Sequence, residues 1–170
     1  MRLAALALLL AGCSFLPDHD TTPIHVTIQT DRTQYTAQRE PGTQRYGFTL
    51  VTRIENRNRH WVYLARCRPD DLHPIYGIEL IEPADDGGAA YNTAWACAGH
   101  DHPIAIRPRG ARTDTLHLVG PNAWSGGTPL GRLEGRFRLY YDVSRCRDEV
   151  GCPLPDSLRR SNAFDVQLTP

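Results

Sequence analysis

The chain has 170 residues, with 19 arginines, no lysine and 19 acidic side chains, for a formal net charge of zero. That balance excludes an electrostatic nucleic-acid binder, which needs a basic excess, and the missing lysine excludes a P-loop, a Schiff-base lysine and a Ser-Lys dyad. Met1 is the only methionine, so no Met-rich copper site exists, and 14 glycines with 13 prolines punctuate the chain too often for long helices.

Met1-Arg2 is a short positive start, and Leu3 to Leu10 is an unbroken apolar run. The run is too short for a membrane span of ~20 residues but suits the apolar region of an export signal. Leu10-Ala11-Gly12-Cys13 then resembles the lipobox of bacterial lipoproteins. The resemblance implies that residues 1–12 are a signal peptide and that Cys13 becomes the lipidated N-terminus. Several acyl chains would make the anchor effectively permanent, so the implied partner is the membrane, with an unidentified envelope protein as a further candidate. In Gram-negative members an aspartate after the cysteine favours the inner membrane. Ser14 stands there instead, which points to the outer membrane, facing the periplasm. Residues 13–23 form a polar tether with Pro17 and Pro23, whose ten residues after the cysteine reach at most ~35 Å. The competing readings are an ordinary signal peptide with a chance cysteine and a buried core strand.

From Ile24 to the end, residues 24–170, short strands follow one another. Ile24, Val26 and Ile28 alternate with His25, Thr27 and Gln29; Tyr46, Phe48, Leu50, Thr52 and Ile54 continue the period of two. Trp61 to Leu64, Ile75 to Ile81, Ile104 to Ile106 and Thr113 to Val119 come next, separated by turns such as Asn56–Arg59 and Arg107–Gly110. Phe137, Leu139, Tyr141 and Val143 alternate with polar neighbours, and Ala163 to Leu168 closes the series. About seven to nine short strands between Gly, Pro and Asn turns predict one all-β sandwich domain. Tyr35, Pro41-Gly42, the segment Gly135-Arg-Phe-Arg-Leu-Tyr-Tyr-Asp142 and Ser161-Asn-Ala-Phe-Asp-Val166 together resemble bacterial immunoglobulin-like domains. The resemblance implies an antiparallel immunoglobulin-like β-sandwich and no activity. Trp61 falls on a plausible central strand, without the Cys–Trp–Cys arrangement of antibody domains.

Apart from Cys13 four cysteines remain: Cys67, Cys97, Cys146 and Cys152. An even number in an exported chain reads as two disulfides, with three pairings open. The short interval between Cys146 and Cys152 closes easily between two strands, which leaves Cys67 with Cys97. A four-cysteine zinc site lacks its paired C-x₂-C knuckles.

The most suggestive cluster for chemistry is His100-Asp101-His102, where an extended chain puts two imidazoles on one side, close enough to share a metal. A third ligand would come from His73 or His117. Ser125-Gly126-Gly127, after Trp124, lacks the G-x-S-x-G pattern of a serine elbow and its strand–helix context. Asp70-Asp71 and Asp85-Asp86 read as turn carboxylates. Arginines crowd two stretches, Arg53 to Arg68 and Arg107 to Arg112, near Trp61, Tyr63, Trp95 and Trp124, at least two of which are expected to anchor the core. The favoured reading is a non-catalytic, lipid-anchored envelope binding or scaffold module without a cofactor. The alternatives are a zinc- or copper-handling lipoprotein using His100 and His102, and a proteinase-inhibitor-like module using the Cys146–Cys152 loop.

Overall fold

A computed structural model of the chain describes residues 24–82, 91–92, 97, 102–122, 124–147 and 152–169. Among them the strands are β1 (Val26–Thr30), β2 (Gln34–Arg39), β3 (Tyr46–Asn56), β4 (Val62–Leu64), β5 (Tyr76–Glu82) and β6 (Ile104–Ile106). They continue with β7 (Ala111–Gly120), β8 (Trp124–Ser125), β9 (Thr128–Pro129), β10 (Gly135–Tyr141), β11 (Val143–Ser144) and β12 (Phe164–Leu168). The described helical structure is one 3-10 turn, Asp156–Leu158. The chain is an all-β sandwich.

One layer is β1-β3-β7, antiparallel throughout. The other is β2-β12-β10-β5. Strand β2 belongs to both: Gln34 to Ala37 pair with β12, and Gln38 and Arg39 pair with β3. The β2–β12 pair is parallel, a departure from the purely antiparallel sandwich expected. A small sheet, β11-β4-β6, follows from the end of β10.

Alternation drives the layers together. On β3 the buried residues Phe48, Leu50, Thr52, Ile54 and Asn56 alternate with outward ones, and Phe48 and Leu50 lie opposite Leu118 and Leu116 of β7. Facing them are Phe137, Leu139 and Tyr141 of β10 and Phe164 and Val166 of β12. Between the layers, Phe48 meets Tyr35 at 5.4 Å, Tyr91 at 5.1 Å and Phe164 at 6.3 Å between ring centroids. Such edge-on and tilted pairs add ~0.5–1.5 kcal/mol each beyond the area they bury. Tyr91 is fully enclosed; its hydroxyl donates to the Leu133 carbonyl at 2.6 Å, and its own carbonyl accepts from the Asn122 side chain.

The expected core aromatics are not the ones used. Trp61 precedes β4 and is 49% exposed, because the alternation of β4 turns Val62 and Leu64 inward. Tyr63 and Trp124 are half-buried, and Trp95 lies outside the described residues. Gly135 explains the glycine that opens β10. Its φ of +139° and the Glu82 carbonyl 2.6 Å from where a Cβ would stand leave no room for a side chain.

Cysteines pair as Cys67–Cys97 and Cys146–Cys152, with Cα–Cα distances of 5.2 and 5.8 Å. Two disulfides mark an oxidising compartment outside the cytoplasm. No helix among the described residues is long and apolar enough to cross a membrane.

Candidate functional site

Asn56, the last residue of β3, is 1% exposed and organises one end of the sandwich. Its side-chain NH₂ donates to the carbonyls of His60 at 2.8 Å, Ile106 at 3.1 Å and Arg107 at 3.1 Å. Its Oδ1 accepts from the Asn58 backbone at 3.0 Å and side chain at 2.9 Å. The β3–β4 turn is thereby fixed to the β6–β7 turn, and the Arg109 amide adds a bond to the Asn58 carbonyl at 3.2 Å. The start of β1 joins them: the His25 amide donates to Asn58 Oδ1 at 2.8 Å, and the Arg57 amide to the His25 carbonyl at 2.9 Å.

These three segments present Arg57, Arg59, Trp61, Arg107 and Arg109 to solvent. Glu55 takes Arg53 at 2.8 Å and Arg57 at 3.0 Å, and those hydrogen bonds hold its carboxyl below the ordinary range. Among the described residues no carboxylate lies within ion-pair distance of Arg59, Arg107 or Arg109. Beside them Trp61, Ile104, Ala105, Arg107 and Arg112 line an open cleft of about 310 Å³. Arg109 sits at φ +54°, a left-handed conformation rare for a branched or long side chain.

Arg112 forms the border with a buried polar group. Its guanidinium holds Asp114 through Nη2 at 2.5 Å and Nε at 2.9 Å, and reaches the Leu72 carbonyl at 2.6 Å. His73 Nδ1 stands 3.4 Å from the same carboxylate. Asp114 faces Thr52 across the β3–β7 register. The Thr52 hydroxyl neighbours the Tyr141 phenol, yet neither reaches a hydrogen bond of good geometry. Burial pushes the Tyr141 pKa far up, so it remains a neutral phenol. An Asp–His pair can orient a catalytic base, but among the described residues no serine, threonine or cysteine hydrogen-bonds His73. The arrangement locks the loop around Leu72 onto β7.

The residues singled out by sequence scatter. Cys13, Asp85, Asp86, His100 and Asp101 lie outside the described residues. His102 is exposed, and its carbonyl accepts from Arg66 Nε at 2.8 Å. His73 is on Asp114, and His117 is held on the outer face of β7 by Glu40 at 2.9 Å and Thr49 at 3.2 Å. The described residues contain no group of three metal-ligating side chains. Ser125 precedes a two-residue hairpin turn, Gly126 and Gly127 at φ +56° and +82°, joining β8 to β9. Asp71 caps its own turn by accepting the Arg68 amide at 2.9 Å. Of the proteinase-inhibitor loop, residues 148–151 lie outside the described set. What sequence reasoning missed is Asn56: nothing in its neighbourhood marks it as the residue that brings two arginine stretches together.

No family model and no curated protein matches the chain. Among solved structures, it is similar to a structural-genomics target, SoR45, at 17% identity and TM-score 0.42, covering 86% of this chain and 87% of that one. It is also similar to the Pseudomonas fluorescens alkylpurine DNA glycosylase AlkC at 10% identity and TM-score 0.37, covering 84% of this chain and 30% of that one. A third is the PapD-like domain 7 of human CEP192, at 13% identity and TM-score 0.31, covering 99% and 96%. Likenesses this distant carry no ligand or activity to this chain.

Proposed function

We propose that the protein is a non-catalytic binding or scaffold module of the bacterial cell envelope, held to a membrane through lipid on Cys13. The observation that carries this reading is the parity of the cysteines. Four of the five are taken by Cys67–Cys97 and Cys146–Cys152. The one left over is Cys13, at the end of Leu10-Ala11-Gly12 where a lipobox places its cysteine. A secreted domain with an odd thiol needs a use for it, and acylation supplies one. Ser14 favours the outer membrane, facing the periplasm.

Growth of an expressing bacterium with an alkyne-tagged fatty acid tests the anchor. The wild-type chain is expected to carry the tag and to sediment with membranes, and Cys13→Ala to lose both. A wild type that is untagged and soluble, or a tag that survives Cys13→Ala, overturns the reading.

A further inference from the structure

We infer that the Asn56 end of the sandwich docks on the anionic headgroups of the membrane to which the chain is tethered, an inference that rests on the lipid-anchored reading above. The first support is position. The His25 amide and carbonyl are bonded into the β3–β4 turn, so the chain enters the domain at the same end that carries Arg57, Arg59, Trp61, Arg107 and Arg109. Ten residues separate Cys13 from Ile24 and span at most ~35 Å even when fully extended. An anchor at Cys13 joins the domain at this end, which is therefore the end nearest the point where the tether attaches.

Charge is the second support. The chain as a whole is neutral, yet the turn residues 56–61 and 107–110 contain four arginines and no acid. The acids beneath them are already committed, Glu55 to Arg53 and Arg57 and Asp114 to Arg112. Arg59, Arg107 and Arg109 therefore present charge that no described carboxylate neutralises, and the planar guanidinium suits a phosphate headgroup. Arg109 is moreover held at φ +54°, with the glycine one position later, at Gly110. A left-handed arginine is costly and persists where its surroundings over-determine it; here the Asn58 carbonyl takes its amide.

The third support is Trp61. An indole 49% exposed beside Ile104 and the arginines has an apolar body and a polar tip, the combination that settles at the level of lipid headgroups. Arginine near a membrane likewise lays its stem on apolar surface and keeps its head in the polar layer.

The test uses the full, lipidated chain reconstituted in vesicles of phosphatidylcholine, with or without about one third phosphatidylglycerol. Some of the phosphatidylcholine carries bromine on its acyl chains as a contact quencher. Trp61 emission is taken as the difference between the wild type and Trp61→Phe. Flotation reports the anchor separately. Trp61 is expected to be quenched on the anionic vesicles, much less on the neutral ones, and progressively less toward ~0.5 M salt. Replacing Arg59, Arg107 and Arg109 by serine is expected to reduce the docked-to-undocked ratio about fivefold per arginine, and a triple lysine variant to retain most of it. The salt series on the wild type needs no variant, so a triple serine chain that fails to fold leaves the inference testable. Flotation without Trp61 quenching overturns the docking and leaves the anchor standing; failure to float overturns the anchor. Quenching that inorganic phosphate abolishes at constant ionic strength assigns the arginines to a free anion and overturns the membrane as occupant.

Discussion

Asp114 is the residue whose loss is expected to cost most for its size. Its side chain is 2% exposed and carries both the Arg112 guanidinium and the His73 ring. Asp114→Ala strands a cation that is itself only 27% exposed, and removing one partner of such a pair costs about 3 kcal/mol. Urea denaturation is expected to show the midpoint falling with little change in slope, and Asp114→Asn, which still accepts from Arg112, to lose less. Glu79 carries a pH signature. Burial works to raise its pKa, but hydrogen bonds from Arg160 at 3.1 Å and Arg138 at 2.6 Å outweigh that and hold it below 4.5. A folded-state pKa below the unfolded one gives stability that is complete above the unfolded value and lost as pH falls through the folded value. Asp31 and Glu55 are shifted the same way, Asp31 by the Tyr35 hydroxyl and the Val51 amide over an opposing burial effect, Glu55 by Arg53 and Arg57. Stability is therefore expected to decline below about pH 4.5, and Glu79→Gln to flatten part of that decline in urea midpoints taken across the acid range. A Glu79→Gln slope equal to the wild type's would show that the arginine pairing of Glu79 adds nothing.

At the scale of elements the two disulfides are unequal. Cys67–Cys97 spans 30 residues and Cys146–Cys152 spans 6; loop-closure entropy alone gives ~3.5–4 kcal/mol for the first and ~2–2.5 kcal/mol for the second. The first loop also carries β5, which pairs along β10, and Tyr91, wedged between Phe48 and Phe137 at 5.1 and 5.7 Å. Thermal melts are expected to fall further for Cys67→Ser and Cys97→Ser than for Cys146→Ser and Cys152→Ser, and the reverse order would place the stabilising closure in the short loop. Strands β4, β5 and β6 are legible in the sequence as short apolar runs, and those with one wet face, β1, β3, β7, β10 and β12, show their burial as alternation. Strand β2 is hidden because its buried Tyr35 and Ala37 sit among Gln, Thr and Arg, although it is the strand that joins the two layers. Tyr91 was equally silent, since it fills the core from a turn-rich stretch with no period to read.

For the whole molecule, the address and the site are legible to different depths. The lipobox-like run ending at Cys13 and the cysteine parity can be read from residue types in order along the chain. The arginine stretches can be read too, but not their union: Asn56 and Arg107 are far apart in sequence and meet through hydrogen bonds from one amide to main-chain carbonyls, an interaction that leaves no compositional trace. Of the histidines expected as a third metal ligand, His73 sits on Asp114 and His117 on Thr49 and Glu40, while His100 of the expected pair lies outside the described residues.

The parallel pairing of β2 with β12 has a mechanical consequence. Strand β1 begins beside Asn56, while Leu168 lies beside Ala37, toward the opposite end where Arg39 meets Tyr46. A force drawing Ile24 and Leu168 apart acts along the strand axes. The β2–β12 bonds then resist by sliding together, not by opening one after another as in a peeled hairpin. A domain with this connectivity behaves as a stiff link between loads applied at its two ends.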